Sequence, residues 1–373
     1  MKKFYQILPT VVFLGFLAVM TLLLFLLPNK EYSENEKRNL AGFPEVSAQA
    51  IMEGEFQEDL ETFTADQVPG RDFFVGVNAY WTLLTGRNAT QDIYKCEDDY
   101  LINAPKVYNE QIYLDNLTRF DQFAANAGLT ADLIMVPSTG YIMEEVLPAN
   151  HGIYYDDMLY EKARETLQHV NIIDVRETLK AGAQTRQVCY KTDHHLTSYG
   201  NYLLYRDFQF AHQKSCRPQE DYEVAAYDGF YGTTWSGSGY WFNPADMVEV
   251  WDSGVQAKVT LRDGQEREYS DSLFFPEHLE NMDKYPVFLD GNHAVTAISN
   301  PQAEGGALLV IRDSYAHCFA TFLAEGYQTV YLIDMRYYRE SLSQFMQEHH
   351  VDRILYLYGA DNMVSDTNSA WIS

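Results

Sequence analysis

Two short segments of this 373-residue sequence carry side chains able to act together as a nucleophile and its base. The first, CYKTDHHLTSYGNY, sets Asp193 and His195 two residues apart; the second, LLVIRDSYAH, offers Ser314. A serine hydroxyl attacks poorly until a base takes its proton, and an imidazole base works best when a carboxylate orients it. In an extended segment residues i and i+2 point the same way. Asp193 can then hold one ring nitrogen of His195 while the other is presented outward, with His194 facing away. Ser314 follows an apolar run by two or three residues, at the start of an expected helix. Open α/β sheets bind ligands at the carboxyl ends of strands, and a helix N-terminus offers N–H groups to an oxyanion. Plainer readings stand beside these. Asp and Ser are ordinary helix caps, and Asp193, His194, His195 and His293 form a conceivable metal-ligand set, although zinc ligands are generally separated by a turn of structure. The expectation is therefore no metal and no cofactor. His317, one helical turn after Ser314, reads either as a surface residue or as a second polar group of the site.

The elements that must bring these residues together have an α/β rhythm. ADLIMVPS (131–138) and VNIIDV (170–175) read as strands flanking a helix over 157–169. GALLVI (306–311), TVYLIDM (329–335) and DRILYLY (352–358) read as strands alternating with helices at 314–324 and in YRESLSQFMQEHH. Apolar runs of this length suit parallel strands buried on both faces, so the two blocks predict one doubly wound parallel sheet. Between about 215 and 300 the texture changes. Glycines cluster with Tyr227, Tyr231, Trp235, Tyr240 and Trp241, and MVEVWDSGVQAKVTLRDGQEREYS alternates like a β-meander. This predicts a β-rich insertion whose aromatic faces suit sugar rings.

A formal charge of −26 repels polyanions and excludes nucleic acid as a partner. The four cysteines form no C-x-x-C pair, which leaves both disulfides and free thiols open. Phe4 to Leu27 is an apolar run preceded by Lys2 and Lys3, long enough at about 1.5 Å per residue to span a bilayer. No small-residue cleavage site follows, so the run reads as an uncleaved signal anchor with the bulk of the chain outside the cell membrane. The expected organisation is an anchor over 1–28, a stalk over 29–43 and an extracytoplasmic domain over 44–373, helical at first from Pro44 to Leu84.

DHHLTSYGNY followed by IRDSYAHCFATFLAEGYQTVYLIDMRYY resembles the DHHW family, which is similar to the SGNH-hydrolase-like acetyltransferases of alginate biosynthesis. EYSENEKRNLAGFP, ADQVPGRDFF, MVPSTGYIMEEVLP and FLDGNHAVTAI resemble further family pieces. The resemblance implies an SGNH-hydrolase-like (flavodoxin-like) fold in which Asp193 orients His195, His195 is the general base and Ser314 the nucleophile. It also suggests Gly291 and Asn292 as oxyanion donors beside the Ser314 N–H. The order Asp, His, Ser is permuted relative to ordinary SGNH hydrolases, and Leu196 stands where the family name has Trp. The implied activity is O-acyl transfer, acetyl foremost, to a cell-surface polysaccharide, with a membrane-bound O-acyltransferase as acyl-donor partner. An acetylesterase shares the acyl-serine and differs in letting water resolve it. A third reading is a non-catalytic polysaccharide-binding or assembly subunit.

Overall fold

The computed structural model of the chain describes residues 2–372, with side chains at all of these except 2–6 and 265–268. Two compact units emerge, Met1–Thr90 with Ser236–Phe242, and Gln91–Trp235 with Asn243–Ser373.

The smaller unit begins with helix α1 (Lys2–Leu26). Its Ile7–Leu26 stretch has a mean hydropathy of 2.5 and no buried residue, and is long and apolar enough to cross a membrane. The helical region from 44 to 84 is divided into α2 (Ala48–Glu53), α3 (Glu55–Gln67) and α4 (Arg71–Leu84). The breaks fall at Gly54 and Gly70, whose φ angles of 86° and 74° belong to the left-handed region that glycine tolerates. The side chain of Ser47 caps α2 by accepting the Ala50 N–H. Gly76 of α4 lies so close to Trp241 that a Cβ there would stand 2.7 Å from the indole, and the indole N–H donates to the Asp72 carbonyl at 2.7 Å.

In the larger unit the main sheet has eight strands: β1 (Thr130–Val136), β2 (Val170–Ile172), β5 (Lys258–Asp263), β6 (Gln265–Ser270), β7 (Val295–Ser299), β8 (Gly305–Arg312), β9 (Tyr327–Asp334) and β10 (Arg353–Gly359). A separate antiparallel pair joins β3 (Glu223–Phe230) to β4 (Asp246–Asp252). The main sheet runs β6-β5-β7-β9-β8-β10-β1-β2. The five strands from β9 to β2 are mutually parallel, as the apolar runs predict, whereas β7, β5 and β6 extend the sheet antiparallel. The expected wholly parallel sheet is thus a mixed one. The expected meander over 247–270 is also divided. Its first strand pairs with β3, and its last two form a hairpin on the main sheet.

Helices α5 (Glu110–Ala127), α6 (Asp156–Thr166) and α9 (Leu342–Glu348) build one core with the sheet. Leu309 and Ile311 of β8 and Ile333 of β9 pack with Leu117, Leu159 and Phe345 from them. Phe120 of α5 stacks on Tyr356 of β10 with centroids 4.2 Å apart. On strand alternation Leu308, Val310 and Arg312 face the other side, and α7 (Ser198–Ala211) packs there with α8 (Ala316–Leu323), which contacts β9. Connections leaving β8 and β1 diverge along the sheet, the topology that places ligands at the carboxyl edge of open α/β sheets.

Candidate active site

Ser314 lies in the turn between β8 and α8, half-exposed at that edge. The serine does not cap the helix: Tyr315 occupies the cap position and no side chain caps there. The turn is held by its neighbour. Asp313 Oδ1 accepts the Tyr315 N–H at 3.0 Å, while Oδ2 accepts the Gly359 N–H and the Asn362 side-chain amide, each at 2.7 Å. Burial pushes the Asp313 carboxyl up, against these hydrogen bonds. The backbone around Ser314 is therefore strapped to the end of β10.

Asp193, His194 and His195 sit in a tight turn immediately before α7, closed by Tyr190 N–H to His195 C=O at 3.1 Å and Thr197 N–H to Val188 C=O at 2.9 Å. Asp246 pins the approach to this turn, accepting from the Thr192 N–H and hydroxyl at 2.6 Å each. The segment is bent, not extended, and Asp193 meets His195 by curling over the turn. Its Oδ1 accepts the His195 N–H at 2.9 Å and the ring Nδ1 at 2.5 Å. A carboxylate at Nδ1 fixes the tautomer with its proton there, leaving Nε2 as an acceptor. His195 Nε2 lies 2.8 Å from Ser314 Oγ. Asp193, His195 and Ser314, 121 residues apart at the extremes, thus form one continuous hydrogen-bonded chain.

The second oxygen of Asp193 accepts from the Thr233 N–H at 2.7 Å and the Thr233 hydroxyl at 2.9 Å. Gly232 makes this approach possible, since a Cβ there would stand 2.1 Å from the Asp193 Cβ. Burial alone would raise the Asp193 carboxyl, but the positive fields of His195 and His194 and these hydrogen bonds hold it well below the usual carboxylate range. His194 does not face away: its ring centroid is 3.9 Å from that of His195, and its Nδ1 meets the Thr233 hydroxyl at 2.6 Å.

Two tyrosines complete the cage. Tyr285 stacks on the His195 ring, and Tyr315 meets it edge-on at 5.2 Å while donating to the His194 carbonyl at 2.9 Å. Tyr315 lies in the quoted segment IRDSYAH beside Ser314 without a role read for it, whereas no motif marks Tyr285 or Thr233, which only the fold brings in.

The remaining expected residues fall differently. Asn292 is exposed, and its amide oxygen accepts from Arg312 at 3.1 Å and Arg336 at 2.9 Å. Gly291 has a φ of 79°, and its N–H donates to the Phe288 carbonyl at 3.3 Å, so that group serves a turn. Leu196 is buried and bridges to Cys189, which makes it a core residue. His317 is not on the surface. It is buried, neither ring nitrogen has a hydrogen-bond partner among the described residues, and burial together with the Arg312 charge holds it well below the ordinary histidine range. Trp235 and Tyr240, expected as sugar-facing aromatics, are buried. All four cysteines are free. Asp193, His194 and His195 bring potential metal-ligand atoms within 4.8 Å of one another, but the hydrogen bonds above engage those atoms. His293 binds Asp263 and Asp290 instead.

Residues 157–333 match the family model described as DHHW protein. That span holds Asp193, His195 and Ser314, and over it the chain is similar to the DHHW family. It is similar in fold to a DHHW family protein from Eubacterium siraeum, at 18% identity and a TM-score of 0.65, over 76% of this chain and 97% of that one. It is likewise similar to Bacillus cereus PatB1 with a sulfonyl adduct, at 19% identity and a TM-score of 0.64, over 75% and 98%. The O-acetyltransferase domain of Pseudomonas putida AlgJ matches at 14% identity and a TM-score of 0.47, over 74% and 92%. No curated protein matches the sequence.

Proposed function

We propose that this chain is a membrane-anchored, extracytoplasmic SGNH-like O-acyltransferase, acetyl being the group moved, that modifies a polysaccharide hydroxyl. The observation that carries the reading is the 2.8 Å approach of His195 Nε2 to Ser314 Oγ, with Asp193 on the opposite ring nitrogen. In the first half-reaction His195 takes the Ser314 proton as Oγ bonds to the acyl carbon, and the proton then leaves with the donor's departing group. In the second, His195 takes the proton of a sugar hydroxyl, whose oxygen attacks the acyl-serine. Ser314 departs and recovers the proton.

Negative charge on the tetrahedral carbonyl oxygen needs donors. The Ser314 N–H and Asn292 are the candidates. Two arginines hold the Asn292 oxygen, so its NH2 group is turned away from them and is available to donate. With a net charge of −26, the acceptor polymer is one without dense negative charge. A membrane-bound O-acyltransferase is the proposed source of acyl groups, and α1 the tether that keeps Ser314 near it.

The test is an acetyl-ester donor assay with and without neutral oligosaccharide, on the wild type and Ser314→Ala. Acetylated oligosaccharide from the wild type alone, and labelling of Ser314 by a sulfonyl fluoride, support the reading. Free acetate with no acetylated sugar makes the chain an esterase. Transfer that persists in Ser314→Ala removes the covalent mechanism.

A further inference from the structure

Helix α4 has two apolar faces, and only one of them is used. Gly76, Ala79 and Leu83 turn toward the protein, where Gly239 and Trp241 pack against the helix. On the opposite side Phe73, Phe74, Val77, Trp81 and Leu84 are exposed, between 41% for Phe74 and 80% for Leu84. At about 100° per residue these five fall within roughly 100° of arc, one continuous stripe. From Phe73 to Leu84 no residue carries a charge, in a chain with 80 charged residues by count (27 basic plus 53 acidic). A solvent-facing helix in so acidic a protein would be expected to carry charge on this side; an uncharged aromatic stripe marks a surface that meets something apolar.

The position of α4 indicates what that is. The chain leaving α1 is bonded directly to the corner from which α4 starts. Lys30 N–H donates to the Gln67 side chain at 3.0 Å, and the Gln67 amide returns hydrogen bonds to the carbonyls of Lys30 and Ala41, each at 2.9 Å. Glu36, Arg38, Asp66 and Arg71 form an ion-pair cluster at the same corner. A cleft of about 390 Å³ there is lined by residues from Leu27, at the end of α1, to Asp72, in the first turn of α4. The exposed stripe therefore begins where the candidate membrane helix ends. Aromatic residues at that depth favour the bilayer interface, and a helix with a wide apolar face lies in it.

We infer that α4 is an interfacial helix whose Phe73–Leu84 stripe is seated in the outer leaflet of the lipid bilayer. This rests on the reading of α1 as a membrane anchor. The lipid acyl chains and glycerol backbone would cover the stripe, holding the smaller unit down on the membrane at a second point besides α1.

The experiment uses the full chain reconstituted alone in phosphatidylcholine vesicles, with and without bromine on the acyl chains. Trp81 is one of five tryptophans, so quenching by bromolipid should remove up to about a fifth of the emission, and Trp81→Phe should abolish that component. Val77→Glu should weaken it with an unchanged circular dichroism spectrum, since Val77 lies on the exposed side of a helix packed elsewhere. Alkaline carbonate extraction separates the two claims. A chain that stays with the membrane but shows no Trp81-dependent quenching overturns the inference while leaving the anchor intact. Protection of Trp81 by a second copy or by another protein, without bromolipid quenching, overturns it equally. A chain released by carbonate overturns the anchor and the inference with it.

Discussion

The phenol ring of Tyr285 lies flat on the His195 imidazole, with centroids 3.9 Å apart and planes 8° from parallel, and its hydroxyl donates to the Ser314 carbonyl at 3.3 Å. One side chain thus braces His195, the proposed base, by its face and the Ser314 backbone by its edge. Tyr285→Phe keeps the stacking and loses the hydrogen bond, so acetyl-ester turnover should fall a few-fold. Tyr285→Ala frees the imidazole to tilt, and a loss of about 10- to 100-fold is expected, equivalent to about 1.4–2.7 kcal/mol of barrier. The loss should appear in kcat with KM little changed, because the ring orients a reacting group and does not bind substrate.

Asp193 should be indispensable, and its dependence on Thr233 should be visible in pH. Asp193→Asn leaves the shape and removes the charge, and about 10³- to 10⁴-fold loss of turnover is expected. The folded-state carboxyl is held below its usual value. Its contribution to stability is therefore present above the unfolded carboxylate range near 3.9 and is lost as pH falls toward the lower folded value. Thr233→Val removes one of the hydrogen bonds that lower it. The variant should be less stable by about 1–3 kcal/mol at neutral pH, with the gap to wild type narrowing below about pH 4. Thermal denaturation between pH 3 and 7 measures this.

His317 should act in the same direction, over a higher pH range. It is buried neutral, and protonation is favoured only after unfolding. Stability should then fall as pH drops below the unfolded histidine value near 6.5, by up to about 1.4 kcal/mol per pH unit from this residue. His317→Leu removes that slope together with two buried nitrogens that lack partners. Urea denaturation at pH 7 and pH 5 should show a smaller difference in the variant than in the wild type.

The thiols should divide cleanly. Cys96, Cys189 and Cys318 are buried, and burial pushes each up to about 12. Cys216 is half-buried. Titration with Ellman's reagent should find Cys216 alone reactive in the folded protein and all four cysteines after denaturation. Fast reaction of more than one thiol in the folded protein contradicts this burial pattern.

The strands from β8 to β10 were legible because runs such as LLVI and ILYLY are apolar without alternation, which only a doubly buried strand accommodates. Asp193, His195 and Ser314 were legible because their types and setting match a nucleophile and its base. What surrounds them was not. Thr233 and Tyr285 come from short segments 40 and 92 residues beyond Asp193, and nothing in G-T-T-W or K-Y-P-V marks a partner for it. His317 read either as surface or as part of the site because an isolated polar residue in an apolar helix gives no sign of which side faces the sheet. The 247–270 region showed alternation, which identifies strands but not the sheet each joins. Pairing partners are set by contacts far away in sequence. For α4, periodicity identified a helix, but its two apolar faces could be told apart only once one of them was covered.

Asp313, one residue before Ser314, is fastened to Gly359 and Asn362. β8 and its serine turn are made some 45 residues before those anchors exist. The turn that carries Ser314 therefore lacks both fasteners until β10 lies beside β8, so on the proposed function the geometry of the site depends on the last strand of the sheet to be made.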